Sequence, residues 1–400
     1  MNMLKQFSKE NEYRIDWGII FCVFILALIG LGSIYVASVH DSSATSITKA
    51  VISQLMWYFI GAIAIFVLIR FDSEQLYKLT PLAYGVGIFL LIAVLFLYSR
   101  SYEVNTGAKS WFQLGPLTFQ PSEFMKPAYI LMLAKVVSKH NTEYPVHEVN
   151  SDWILIGKMI LWTLPVAILL KLQNDFGTML VFFAILGGMI IVSGVTWKIL
   201  APALIGIFTF GTTMIFLVVT KVGRTILEHV GFKQYQFSRI DTWLHPQSDT
   251  SNNGYQLWQS IKAIGSGGIS GTGFNVSHVN VPVRESDMIF SVMGENFGFI
   301  GGFILIFIYF ILIYQMVKVT FETRNVFYAY ISTGVIMMIL FHVFENIGMS
   351  IGLLPMTGIP LPFISQGGSA LIGNLLGVGL IMSMQYHNKN YAFSNEKNFS

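Results

Sequence analysis

Cysteine is nearly missing from this chain. Cys22 is the only one among 400 residues, which excludes a disulfide within the chain and any metal site built on cysteine. Lying inside an apolar run, it reads as a lipid-facing or packing thiol. Charge is scarce as well: Asp, Glu, Lys and Arg together make 11% of the residues, too little to cover a water-soluble protein of this length. Internal repeats and low-complexity linkers are also lacking, so nothing divides the chain, and residues 1–400 read as a single membrane domain.

What is present is apolar. Such residues account for 54% of the chain, and Phe alone for 33 positions. Many runs reach the length of about 18 apolar residues that crosses a hydrocarbon layer of roughly 30 Å as helix, the form that satisfies its own backbone where there is no water. The first, about Trp17 to Ser38, is too long for the core of a signal peptide and lacks a small-residue cleavage site, so it reads as an uncleaved anchor. Further helices are expected near 51–70, 80–99, 121–138, 152–171, 175–193, 197–220, 287–317, 325–346 and 366–386. The fold class that follows is an all-α polytopic membrane protein of about ten transmembrane helices, with a large extracytoplasmic loop between helices 7 and 8. That loop spans about 221–286.

An even number of spans puts both tails on one side. That side gathers Lys5, Lys9, Arg14, Arg70, Lys78, Lys135, Lys139, Lys198, Lys318, Arg324, Lys389 and Lys397, whereas the short loops of the other hold Lys49, Arg100, Lys109 and Lys171. The positive-inside rule then makes both termini cytoplasmic and the insertion extracytoplasmic. The insertion is the one shift in composition. Its cations Lys221, Arg224, Lys233, Arg239, Lys262 and Arg284 outnumber its acids Glu228, Asp241, Asp249 and Glu285 by two. A solvated basic loop accounts for that excess, and so does a site for an anionic, phosphorylated ligand. The glycine stretch GSGGISGTG, from Gly265, lacks the preceding strand and following soluble helix of a nucleotide fingerprint and reads as a flexible loop.

Charges at membrane depth cost about 2.5–3.5 kcal/mol each on insertion scales, so those that remain need a partner or a purpose. Asp287 stands where the insertion meets the eighth span, in VPVRESDMIFSVMGENFG, with Ser291 and Glu295 following at helical spacing on one face. The helix dipole alone favours a carboxylate there; the alternative is a general base made more basic by partial desolvation. Glu123 and Lys126 open the fourth span three residues apart, as an ion pair or as the lining of a polar cavity. Asp175 in NDFGT begins the sixth span, as a cap or as a site residue. Trp111 is an interfacial aromatic or a platform for a sugar ring. All come from the outer ends of spans or from outer loops, and that convergence points to one extracytoplasmic site. The connection GLLPMTGIPLPFISQGGSA, between spans nine and ten, is uncharged and rich in Pro and Gly, which predicts irregular backbone buried in protein at membrane depth.

The segments GAKSW with FQPSEFMK, NDFGT, YQLWQSIKAIGSGG, VPVRESDMIFSVMGENFGFIGG and LLPMTGIPLPFISQGGS resemble those of the SEDS family (shape, elongation, division and sporulation), in the family's order and over essentially the whole chain. TGIPLPF is most similar to its RodA-like, rod-shape branch. The resemblance implies a peptidoglycan glycosyltransferase of the bacterial cytoplasmic membrane that polymerises lipid II during elongation and shape maintenance, beside a class B penicillin-binding transpeptidase. Its partners would be lipid II, the undecaprenyl-pyrophosphate-linked glycan, the transpeptidase and membrane lipid, with no nucleic acid. The family's essential aspartate falls on Asp287, and its other functionally important positions on Trp111, Glu123, Lys126 and Asp175. Ser110 stands where many members have Arg, and Asn174 where many have Pro.

On that footing the expected chemistry is inverting glycosyl transfer, with Asp287 as catalytic base for the GlcNAc 4-hydroxyl. Lys126, Arg239, Lys262, Arg284 and Glu295 are expected on the substrate side, with Lys126 and loop cations such as Arg239 or Arg284 as the candidates to stabilise the leaving pyrophosphate. No cofactor is expected beyond a divalent cation that would assist the pyrophosphate, and no protein metal site is assigned. Two rival classes stand beside this one. A flippase for lipid-linked precursor also suits a polar cavity in a bundle; a scaffold for the transpeptidase would carry its intramembrane charges at a needless cost.

Overall fold

The computed structural model describes residues 15–40, 47–115, 117–229, 234–248, 253–323 and 325–396. In chain order the elements are α1 (Trp17–His40), α2 (Ile47–Leu68), α3 (Ser73–Leu97), α4 (Arg100–Thr106), β1 (Phe112–Leu114), β2 (Leu117–Phe119), α5 (Pro121–Glu143), α6 (Val149–Leu172), α7 (Phe176–Val192), α8 (Trp197–Val219), α9 (Lys221–His229), α10 (Gln234–Leu244), a 3-10 turn (Pro246–Ser248), α11 (Asn253–Ser266), α12 (Ile289–Thr323), α13 (Val326–Ser350) and α14 (Gly368–Glu396). Eight of these, α1, α2, α3, α6, α8, α12, α13 and α14, are long and apolar enough to cross a membrane. α7 is apolar with 17 residues, and α5 is long but carries Glu123, Lys126, Lys135, Lys139 and Glu143. The chain is a polytopic membrane protein.

The position of α5 explains its composition. It packs against α3, α6, α7, α13 and α14, and from Met125 to Ala134 every residue is buried. Glu123 and Lys126 therefore meet protein rather than lipid, which is where intramembrane charge is tolerated, whereas Lys139 and Glu143 are exposed toward the other end of the helix. α8 is the opposite case. It buries only Ile199, Leu200 and Val218, and among the described elements its one extensive packing partner is α9. Arg224 of α9 donates through Nε to the Val218 carbonyl at 2.6 Å and holds Asp241 of α10 with both terminal nitrogens, so α8, α9 and α10 are tied together beside the bundle.

The insertion is helical over much of its length. α11 lies along α12, buries Leu257, Ser260 and Ala263, and donates from Ser260 Oγ to the Ser350 carbonyl at 2.9 Å. The glycine stretch that followed from the sequence as a flexible loop is packed backbone to backbone on α12. Gly268 and Ile269 carbonyls accept from the amides of Phe299 and Ile300 at 2.9 and 3.1 Å. There α12 breaks at Gly298 (φ 62°, ψ −158°), and a Cβ at that position would stand 2.4 Å from the Gly271 nitrogen. Glycine is needed on both counts, the backbone region and the close approach.

Residues 351–367 form the irregular connection expected from their composition; its second half is buried, with Ile359, Leu361, Phe363 and Ile364 in the core, whereas Ile351 and Leu353 are exposed. Side chains from distant helices satisfy its backbone: the hydroxyls of Tyr58 and Tyr309 donate to the carbonyls of Phe363 and Pro362, and Gln54 Nε2 donates to the Ser365 carbonyl at 3.3 Å. Nonhelical backbone at membrane depth persists only on such terms.

Candidate functional site

Asp287 sits in the turns that close the insertion, one residue short of Met288 and two short of α12. Its carbonyl accepts from Asn346 Nδ2 at 2.8 Å, and the same amide group donates to the Ile359 carbonyl at 2.8 Å. One side chain of α13 thus ties the end of the insertion to the 351–367 connection. Gly358 (φ 75°) lies against the carboxylate, where a Cβ would come 3.3 Å from Oδ2. The side chain is half-buried. Crowding by protein pushes its carboxyl up to about 7; burial is the main cause, the hydrogen bond with Ser286 opposes it, and the charge of Glu285 adds to it.

The helical spacing of Asp287, Ser291 and Glu295 on one face is corrected here. α12 starts at Ile289, because the turn that brings the Asp287 carbonyl to Asn346 interrupts the helix before it. Ser291 Oγ donates to the Met288 carbonyl at 2.7 Å. Glu295 turns into the insertion, accepting from the backbone amides of His278 and Val279 at 2.6 and 3.1 Å and from Arg284 Nη2. With Glu295 fully buried and Arg284 4% exposed, this pair spends its charges on each other and fixes the shape of the segment leading to Asp287.

Glu123 and Lys126 are both core residues, 3% and 1% exposed. The Lys126 ammonium donates to Glu123 Oε1 at 2.7 Å and to Nε2 of His342 at 3.0 Å. His342 and Asn346 are four residues apart on α13, neighbours on one face and about 6 Å apart along the axis. The Lys126 cluster and the Asp287 turn therefore hang on one stretch of one helix. Asp175 caps α7, accepting from the Thr178 amide at 3.2 Å, and also accepts from Gln120 Nε2 at 2.9 Å, just ahead of α5. A Cβ at Gly177 would meet the Thr357 carbonyl at 2.8 Å, so the α7 start and the Asp287 carboxylate flank consecutive residues, Thr357 and Gly358.

Trp111 and Lys262 make their contacts outside this cluster. Trp111 is half-buried and stacks on Tyr102 of α4, with centroids 5.5 Å apart, at the hairpin β1–β2, in which Phe112 pairs with Phe119. Lys262 is exposed on α11 with its Nζ 5.9 Å from the Trp258 ring. Arg239 is placed in α10, and its side chain lies outside the described residues. The sequence reading passed over His342, Asn346 and Gly358. A histidine and an asparagine one turn apart in an apolar span were the available signal, since the cost of polar groups at membrane depth applies to them as to Asp and Lys. Among the described residues no three of His, Cys, Asp and Glu converge to hold a metal ion.

A family model described as cell cycle protein, covering FtsW, RodA and SpoVE, matches residues 16–390. The chain is 33% identical over 315 residues to the peptidoglycan glycosyltransferase MrdB of Escherichia coli K12, spanning 77% of this chain and 78% of that one. It is 30% identical over 387 residues to stage V sporulation protein E of Bacillus subtilis, spanning 94% and 98%. Among solved structures it is similar to a chain of a peptidoglycan synthase complex that coordinates polymerization and crosslinking (TM-score 0.74, 28% identity, 94% and 98% covered). It is also similar to the rod shape determining protein RodA of Thermus thermophilus (TM-score 0.65, 27% identity, 93% and 96% covered). The match runs over nearly the whole length, and the five motif segments fall inside it: this chain belongs to the FtsW/RodA/SpoVE family of cell cycle proteins.

Proposed function

We propose that this protein is a peptidoglycan glycosyltransferase that polymerises lipid II, with Asp287 as the general base. The observation that carries the reading is the setting of Asp287. Its carboxyl lies where the insertion enters the bundle, stands against Gly358, where a Cβ would come 3.3 Å from Oδ2, and is pushed up to about 7 by burial. A carboxylate of that basicity suits proton abstraction near neutral pH better than an ordinary one. The GlcNAc 4-hydroxyl of the acceptor gives its proton to Asp287 as its oxygen forms a bond to the donor's anomeric carbon. The bond from that carbon to the pyrophosphate oxygen breaks, undecaprenyl pyrophosphate departs with the electron pair, and in-line attack inverts the centre. Lys126 is the buried cation that biases the field toward the departing anion. A divalent cation at the departing pyrophosphate would supply further neutralisation of its charge.

The same reading places the protein in the bacterial cytoplasmic membrane with both termini cytoplasmic, the Asp287 end outward, and a class B transpeptidase as partner. TGIPLPF, at 357–363, supports elongation rather than division as its task. Purified full-length protein should polymerise lipid II, and Asp287→Ala should lower the rate by about 100-fold or more. An unchanged rate in a folded Asp287→Ala protein, or translocation of lipid II without chain growth by wild type, overturns the proposal.

A further inference from the structure

The strongest unassigned arrangement in the core is the contact between Lys126 and His342. His342 is fully buried, and its two ring nitrogens have different partners. Nδ1 lies 2.6 Å from the Met338 carbonyl, which can only accept, so Nδ1 carries the proton. Nε2 is then a lone pair, and the Lys126 ammonium donates to it at 3.0 Å while donating a second hydrogen to Glu123 at 2.7 Å. A protonated imidazole in this place would set two cations against each other in a site with almost no solvent. A neutral acceptor supplies a hydrogen bond to the charged lysine and adds no charge of its own. Because His342 stands one turn from Asn346, whose amide holds the Asp287 carbonyl, the same helical turn fixes both the buried cation and the base.

We propose that His342 is a positioning residue for polymerisation, acting through Lys126: its neutral ring holds the ammonium oriented between Glu123 and the face of α13 that carries Asn346. The inference rests on the glycosyltransferase reading above, and lipid II polymerisation by full-length protein measures both.

The test compares two amides that put an acceptor at different reaches. His342→Gln offers its oxygen near the place of Nε2, whereas His342→Asn offers it near Nδ1, away from Lys126. Loss of a buried hydrogen bond to a charged group predicts that Asn lowers kcat by about 10- to 100-fold, with KM for lipid II little changed, and that Gln recovers most of that loss. In the accompanying cycle, Lys126→Met with His342→Asn should be no slower than Lys126→Met alone, because a residue that acts through Lys126 has nothing left to act on. A purely structural role would lower Asn and Gln alike and would add to the lysine substitution; either result overturns the proposal, as does an Asn variant at the wild-type rate. Absence of polymerisation by wild type would instead defeat the glycosyltransferase reading, so the two failures are distinct.

Discussion

A carboxyl pushed up to about 7 makes two commitments about pH. As a base, Asp287 works only when ionised, so the rate of polymerisation should climb as pH rises through about 7 and level above it, as read from kcat/KM between pH 5.5 and 8.5. As a stability element it works in the opposite direction. Its folded pKa lies above the ordinary value of 3.8, so the folded state holds the proton more tightly; that contribution is present below the unfolded pKa and is lost as pH rises through about 7. The thermal midpoint of Asp287→Asn relative to wild type should therefore be higher at pH 8 than at pH 4.5, while activity is abolished at both. Legibility in the sequence was uneven at this scale. Asp287, Glu123, Lys126 and Asp175 stood out because a charge in an apolar chain is conspicuous. His342 and Asn346 did not, because their meaning lies in which distant groups they meet, Lys126 some two hundred positions earlier in the one case and the Asp287 carbonyl in the other.

At the scale of elements, the joint between the glycine stretch and α12 is the most demanding feature. Gly298→Ala would place a Cβ within 2.4–2.7 Å of Gly271 and Ile269 backbone atoms, in a backbone region that side chains avoid at a cost of about 1–3 kcal/mol before any clash is counted. The expected outcome is a marked drop in thermal midpoint or failure to fold. Gly85→Ala, in a helix with open space around it, should be tolerated and shows that the effect belongs to the joint. The long helices were readable from the sequence to within several residues at most ends. The joint was not, since glycines that serve flexibility and glycines that serve close approach look alike until their neighbour across the fold is known. The start of α12 was misplaced for a related reason: helical spacing continues in the sequence through 287, while a hydrogen bond from another helix ends it in space.

For the molecule as a whole, the charge asymmetry of its loops and the even number of spans expected from the sequence make a topological prediction. Protease added outside intact spheroplasts should cleave a tag placed in the insertion and spare tags at either terminus; the reverse pattern would invert the proposed orientation. Hydropathy could find α8 as a span but could not show that it stands nearly alone, because a lipid-facing and a protein-facing apolar helix have the same composition.

That isolation bears on the bilayer. With 23 residues, α8 extends about 34 Å, somewhat more than an average hydrocarbon layer. Its contacts among the described residues are few beyond those of Ile199 and Leu200 with the core at its start and those with α9 at its end, so its tilt is open to lipid thickness. Val218, Arg224 and Asp241 join α8 to the helices of the insertion, so a change in its tilt is expected to reach them. Reconstituted in vesicles of increasing acyl-chain length at constant headgroup, its polymerisation rate should pass through an optimum, and substitution of Arg224 by Ala should flatten that dependence.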